Sequence, residues 1–396
     1  MSSGRLTLFV VLGLTRLLAG CGLSEDGLLE TGHLSDASVL PDASRPLDAS
    51  SLDRAPAQDA PGADMQAPPD ASDAGCDADL QTDPANCGGC NHSCQGGSCA
   101  TGSCAPVALA TNLAAPQGIA LDATNVYWTH SAGNTIMSCA LGGCGGAPTL
   151  LSTAKGPNSV AVDGTTVYWT NYAAGSIGFC ALSGCGGAGA TFAQMGASDT
   201  MGRVAVHGGT VFFTDASSGQ VLSCPAASGC GSGPAVIATG RNYPYGIAAD
   251  ATNVYWVDYS GGQVQQCPRA GCGPGNSAVV TLASNQKSPR SIATDGTSVF
   301  WEELVPGGAL RSCLVGGAGG LRLAQNQSSP QGVATDALNV YWTNNGDGTV
   351  WRADKLGKNA KLLASGQNGA WGIAVDKNAI YWTNDMPGGS VMKLVK

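Results

Sequence analysis

From residue 106 to its last residue the chain repeats one alternation of apolar and polar positions. In the unit YGIAADATNVYWVDYSGGQVQQCPRAGCGPGNSAVVTLAS, a short apolar run from Gly246 to Ala249 stops at Asp250. Ala251 to Asn253 carry turn chemistry, and Val254 to Asp258 form a stretch rich in aromatic and β-branched residues. Ser260 to Gly262 turn the chain again, Gln263 to Cys267 alternate, a Gly-rich loop follows, and Ala278 to Ala283 make a fourth apolar stretch. Runs this short, bounded by Gly, Asn, Asp and Ser, predict four strands. Helical periodicity is missing from every unit.

The unit recurs seven times. Its matching Gly, Ser or Arg stands at Gly118, Ser159, Arg203, Gly246, Ser291, Gly332 and Gly372, in steps of 41, 44, 43, 45, 41 and 40 residues. Four short strands at such a period describe a β-propeller blade. The last unit stops after its third strand, SVMKLVK, whereas Val107 to Thr111 precede the first unit and match the fourth-strand sequence at Leu362 to Ser365. An N-terminal strand that completes the last blade removes two free sheet edges. The expected fold is all-β: a seven-bladed β-propeller of four-stranded blades over 106–396, closed by an N-terminal strand.

The second strands read VYWTH, VYWTN, VFFTD, VYWVD, VFWEE, VYWTN and IYWTN. Over 106–396 this resembles the YWTD-repeat propellers of the low-density-lipoprotein-receptor type, and VWRADKLGK in the sixth unit is similar to that family's next strand and turn. The resemblance implies a rigid platform for binding other proteins. Those propellers have six blades, so a six-bladed ring is the alternative to the count of seven. It also implies that Trp128, Trp169, Trp256, Trp301, Trp342 and Trp382, with Phe213, pack between blades and are not ligand contacts.

Asp122, Asp163, Asp250, Asp295, Asp336 and Asp376 end the first strand of six units, with His207 in the third. An Asp before a tight turn accepts backbone N–H bonds, so a position that recurs in every unit reads as a requirement of the blade. The same holds for His130, Asn171, Asp215, Asp258, Glu303, Asn344 and Asn384. No cofactor or metal site is called for, although Asp and Glu oxygens could hold calcium. Catalysis would need a nucleophile with a base, or converging His and carboxylates. The head has only His130 and His207, in different units, so no catalytic residue is assigned; the enzyme alternative is a metal-dependent lactonase- or lyase-type propeller.

Binding should be written where the units disagree, because packing makes equivalent positions alike. They disagree most just before the first strand, at Gln117, Asn158, Gly202, Tyr245, Arg290, Gln331 and Trp371, expected in the loops leading to the innermost strands. With Tyr243, an aromatic and cationic patch suited to a protein or a sugar results. The candidate ligand-binding residues are Gln117, Asn158, Tyr243, Tyr245, Arg290, Gln331 and Trp371. Without such a ligand, the chain would be an architectural envelope protein.

Charge and cysteine content place the head. Residues 1–21 run from Arg5 through LTLFVVLGL to Cys21, in the order of a secretory signal and too short for a membrane span. Leu18 to Cys21 resemble the lipobox of bacterial lipoproteins, which implies lipidation at Cys21 and an anchor in the cell envelope, at the outer membrane or cell surface; an ordinary secreted protein is the alternative. Residues 22–75 hold 11 acidic residues against Arg45 and Arg54 and little apolar material, the composition of a disordered tether. That stretch carries the whole formal charge of −9, so the nearly neutral head has no footprint for nucleic acid. A monomer is expected.

Sixteen cysteines in an exported chain point to disulfides. In 76–105, Cys76, Cys87, Cys90, Cys94, Cys99 and Cys104 should pair among themselves in a Cys-rich module, in an order that spacing leaves open. Cys139 with Cys144, Cys180 with Cys185, Cys224 with Cys230, and Cys267 with Cys272 each bracket a Gly-rich turn, as hairpin staples would. Cys313 faces Ala318 where its partner should be, which leaves one thiol over.

Overall fold

The structure, a computed structural model, describes residues 78–396 apart from 173, 232 and 317–319. The leader with Cys21, the acidic tether and Cys76 lie outside the described residues. From residue 116 onward each unit folds as an antiparallel meander, and there are seven blades. In blade 4 the strands Pro244–Ala249, Asn253–Asp258, Gln263–Pro268 and Val280–Ala283 pair in sequence order. The aromatic second strand lies inside each sheet, between the first and third strands, and in blade 4 it is buried along nearly its whole length. Val254, Tyr255, Trp256 and Val257 have no measurable exposure.

Seven apolar clusters hold the ring together, one between each pair of neighbouring blades. Tyr127 packs with Trp169, Tyr168 with Phe213, Phe212 with Trp256, Tyr255 with Trp301, Phe300 with Trp342, and Tyr341 with Trp382. The seventh cluster joins Tyr381 of blade 7 to Trp128 of blade 1. Ring closure is covalently offset: Ala370–Val375, Ala379–Asn384 and Pro387–Val395 are completed by Val107–Ala114, with Val107 opposite Lys393. The count of seven stands, and the six blades implied by the family resemblance do not apply to this chain.

The recurring aspartates serve the blade. Asp122 accepts the N–H groups of Thr124 and Asn125 through one oxygen, and the Tyr127 hydroxyl at 2.6 Å through the other. Asp163, Asp250, Asp336 and Asp376 repeat that arrangement with Tyr168, Tyr255, Tyr341 and Tyr381. In blade 5 the tyrosine is Phe300, and Lys355 of the next blade supplies the bond to Asp295 at 2.6 Å. Lys396 adds a second donor to Asp336 at 2.5 Å.

Partial burial raises both the Asp295 and the Asp336 carboxyl, but the lysine ammonium and the turn donors outweigh it, and each titrates at about 2. A carboxylate depressed in the folded state stabilises the fold above its unfolded pKa of about 3.9, and loses that contribution as pH falls towards 2. Lys355→Met with Lys396→Met should therefore lower thermal stability at pH 7 and flatten its decline between pH 4 and pH 2. An unchanged acid profile would show that the two ion pairs do not stabilise the ring.

All four hairpin staples form, with Cα separations of 5.3, 5.6, 5.2 and 5.3 Å. Cys313 differs from expectation: it is disulfide-bonded, so the thiol expected to be left over is not a free one. In the Cys-rich module Cys87 pairs with Cys99 and Cys94 with Cys104. That module rests on the last blade: His92 Nε2 meets the Lys396 carbonyl at 2.6 Å, and the buried Lys393 ammonium reaches Gln95 at 2.5 Å.

Blade 2 departs from the others. Gly178 stands opposite Trp169, where the third strand elsewhere carries Met137, Leu222, Gln265, Arg311, Trp351 or Met392. The indole occupies that space, since a Cβ on Gly178 would lie 2.3 Å from it. Gly187–Ala188 leaves blade 2 to pair in parallel with Ser152 and Thr153 of blade 1. A lateral groove lined by Lys155, Asn171, Gly178, Gly189 and Gln194 runs along this edge.

Candidate functional site at the channel mouth

The seven residues that differ between units lie on the inner strands themselves, as the second residue of each, and not in the loops before them. Inner strands of adjacent blades contact one another around the whole ring, so these positions face the central channel. Their framework is regular. In blade 1, Thr129 Oγ1 accepts the Gly118 N–H at 2.9 Å and donates to the Asn158 carbonyl of blade 2 at 3.3 Å. Thr214, Thr343 and Thr383 make the same two bonds in blades 3, 6 and 7. A close approach between blades requires the glycine: a Cβ on Gly372 would lie 2.4 Å from the Gln117 carbonyl.

Five of the seven expected ligand-binding residues are brought together on this frame. Asn158 of blade 2 donates to the Tyr245 hydroxyl of blade 4 at 2.6 Å, reaching across blade 3, where Gly202 has no side chain. Arg290 of blade 5 donates to the same hydroxyl at 3.1 Å and to Gln331 of blade 6 at 2.7 Å. Its guanidinium lies 5.0 Å from the Tyr245 ring centre and 4.5 Å from that of Trp371 in blade 7. Five blades thus meet at one point. Tyr243 stacks on Tyr245 at 6.4 Å and joins Tyr259 and the exposed Tyr172 in a shelf of four tyrosines. Gln117 stays apart, bonded to Asp385 at 3.0 Å.

Two further residues of the site were not expected. In blade 3 the usual order of side chain then glycine is inverted to Gly202-Arg203. A Cβ on Gly202 would lie 2.8 Å from the Tyr245 carbonyl, and the Arg203 guanidinium lies 5.9 Å from the Tyr245 ring centre. In blade 5 Glu302 stands where the frame has Thr. Its Oε1 accepts the Ser291 N–H at 2.7 Å, and its Oε2 is buried without a partner. Both departures are visible in the sequence, as the arginine among the matching glycines and serines and as VFWEE among the second strands.

Electrostatics make the site uneven. Burial pushes the Tyr245 hydroxyl up, but Arg290 and Arg203 outweigh it and hold it below the ordinary phenol range. Burial drives the Glu302 carboxyl well above the carboxylate range, against a smaller pull from Arg203. Asp385 is likewise raised by burial, less the effects of Gln117 and Arg290. The two histidines stay outside this constellation. His130 contacts Thr135 and the edge of Trp128, and the His207 carbonyl is held by Arg269.

No known protein family and no curated protein matches the sequence. Solved structures do. Streptogramin B lyase is similar at 14% identity and a TM-score of 0.61, over 73% of this chain and 96% of the other. Virginiamycin B lyase from Staphylococcus aureus is similar at 14% identity and a TM-score of 0.60, over 74% and 98%. The WD40 propeller domain of Doa1 is similar at 13% identity and a TM-score of 0.56, over 72% and 97%. At such identities the likeness carries the propeller fold alone, which lyases and a WD40 domain share.

With disulfides in the Cys-rich module and in blades 1 to 4, the head has the chemistry of an extracellular or exported protein. No helix among the described residues is long and apolar enough to cross a membrane.

Proposed function

We propose that the chain is an exported binding propeller, tethered to the cell envelope through a lipid on Cys21, whose ligand engages the channel mouth. What supports this reading is the convergence of Asn158, Tyr245, Arg290, Gln331 and Trp371 on one hydroxyl and one guanidinium. These side chains contribute to no repeated element of the frame, and a buried polar network confined to one place in the ring holds that place in a single arrangement. The tyrosine shelf leads from that point to the exposed Tyr172, so a ligand can lie partly in the channel and partly on the rim. Protein and glycan ligands both suit such a surface.

The test is capture of partners from envelope extract and from a glycan panel by the oxidised full chain. Trp371→Ala should reduce capture about tenfold or more while leaving the thermal transition in place, as removal of a central aromatic contact does. Equal capture by the variant and the parent would move the site away from the channel mouth.

A further inference from the structure

The channel holds two guanidiniums and no ion pair for either. Among the described residues the salt bridges are Arg311 with Glu303, Lys355 with Asp295, and Lys396 with Asp336; Arg203 and Arg290 are in none. Nε and Nη2 of Arg203 are both buried without a hydrogen-bond partner. Most buried polar atoms in folded proteins are satisfied, and an unpaired buried cation is among the costliest exceptions. The two guanidiniums also repel each other across one ring, at 5.9 and 5.0 Å from the Tyr245 centre. Glu302, the carboxyl buried nearby, spends one oxygen on the Ser291 N–H and leaves the other unpartnered.

Tyr245 completes the arrangement. Its hydroxyl oxygen accepts from Asn158 and from Arg290, which uses both lone pairs and leaves its own proton to be donated to a third group. Donors therefore converge from three sides: Arg203, Arg290 and the Tyr245 hydroxyl. The unsatisfied Asn158 Oδ1 beside them is an acceptor, as a ligand carrying hydroxyls would require. A planar oxyanion is what paired guanidinium forks bind best. Beyond it, Trp371 and the shelf of Tyr243, Tyr259 and Tyr172 offer ring faces with polar tips, suited to the C–H faces and hydroxyls of a sugar.

We propose that the channel mouth binds an acidic saccharide, with the oxyanion of one sugar residue held between Arg203 and Arg290 against the Tyr245 hydroxyl. This rests on the reading of the channel mouth as the binding site. The anionic group is a carboxylate or a sulfate ester, which present the same oxygens to the guanidiniums.

Calorimetric titration of the oxidised full chain with oligogalacturonate, its carboxyl-reduced form, a sulfated galactan oligosaccharide and poly-glutamate tests the proposal. Oligogalacturonate or the sulfated oligosaccharide should bind, the carboxyl-reduced form should not, and Arg203→Gln and Arg290→Gln should each weaken binding about tenfold or more. Arg203→Gln should also keep or raise the melting temperature, because it removes a charge whose Nε and Nη2 are buried without partners; that guards against reading misfolding as lost contact. Equal binding of the reduced form, or unchanged binding by both variants, would overturn the oxyanion while leaving a binding site at the mouth. Preference for poly-glutamate would overturn the saccharide. If no probe binds but envelope capture still depends on Trp371, the acidic saccharide is wrong and the site stands; if capture is independent of Trp371 as well, both fall.

Discussion

A chain beginning at residue 116 is expected to lose the cooperative thermal transition that a chain beginning at residue 106 retains. The two differ by one strand, Val107–Ala114, which supplies the fourth strand of blade 7. Leu109, Ala110 and Leu113 of that strand are buried with Trp128, Tyr381 and Val391, so it also seals blade 7 against blade 1. Two fully buried leucines alone are worth roughly 3 to 6 kcal/mol. That is comparable with the whole stability of a typical domain, about 5 to 15 kcal/mol. Its loss would also expose the edge of Pro387–Val395 as an unpaired template for aggregation. Calorimetry and light scattering of the two chains check this; equal, reversible transitions would mean that the ring does not depend on its closing strand.

Trp342→Ala is expected to cost about 3 to 5 kcal/mol, as removal of a fully buried tryptophan does. Its side chain fills the interface with Phe300 and Leu310 of blade 5, stacks on Trp351 at 6.2 Å, and donates to Gln327 at 2.7 Å. Gln327→Ala separates the polar share of that cost. It removes the acceptor of both Trp342 Nε1 and Asn344 Nδ2, and should cost about 1 to 3 kcal/mol. Denaturant melts with unchanged slope would measure both. Equal losses in the two variants would place the stabilisation in the hydrogen bond and not in the packing.

The frame was legible because the same physical requirement recurs along the chain. Asp336 before its turn, Tyr341 bonded to it and Trp342 behind it can be read from one repeat and found again in four others. Hairpin cysteines were legible for a similar reason, since a short loop fixes which Cys lies opposite. The site was legible only in part. Tyr245, Arg290 and Trp371 stood out by failing to match, but their bonds join blades that are far apart in sequence, and only ring closure brings Asn158 within reach of Tyr245. Arg203 and Glu302 were missed because each occupies a position that is structural in the other blades. There the informative signal was a change of charge within a conserved pattern of packing.

The central claim is that the blade-specific side chains in the channel form the ligand site. Diffraction from crystals of the oxidised head grown with oligogalacturonate, or with whichever saccharide titration selects, tests it most directly. The account predicts an oxyanion within hydrogen-bonding distance of Arg203, Arg290 and the Tyr245 hydroxyl, with a sugar ring against Trp371 or the tyrosine shelf. A saccharide seated instead in the lateral groove beside Gly178, with the channel unchanged, would contradict it.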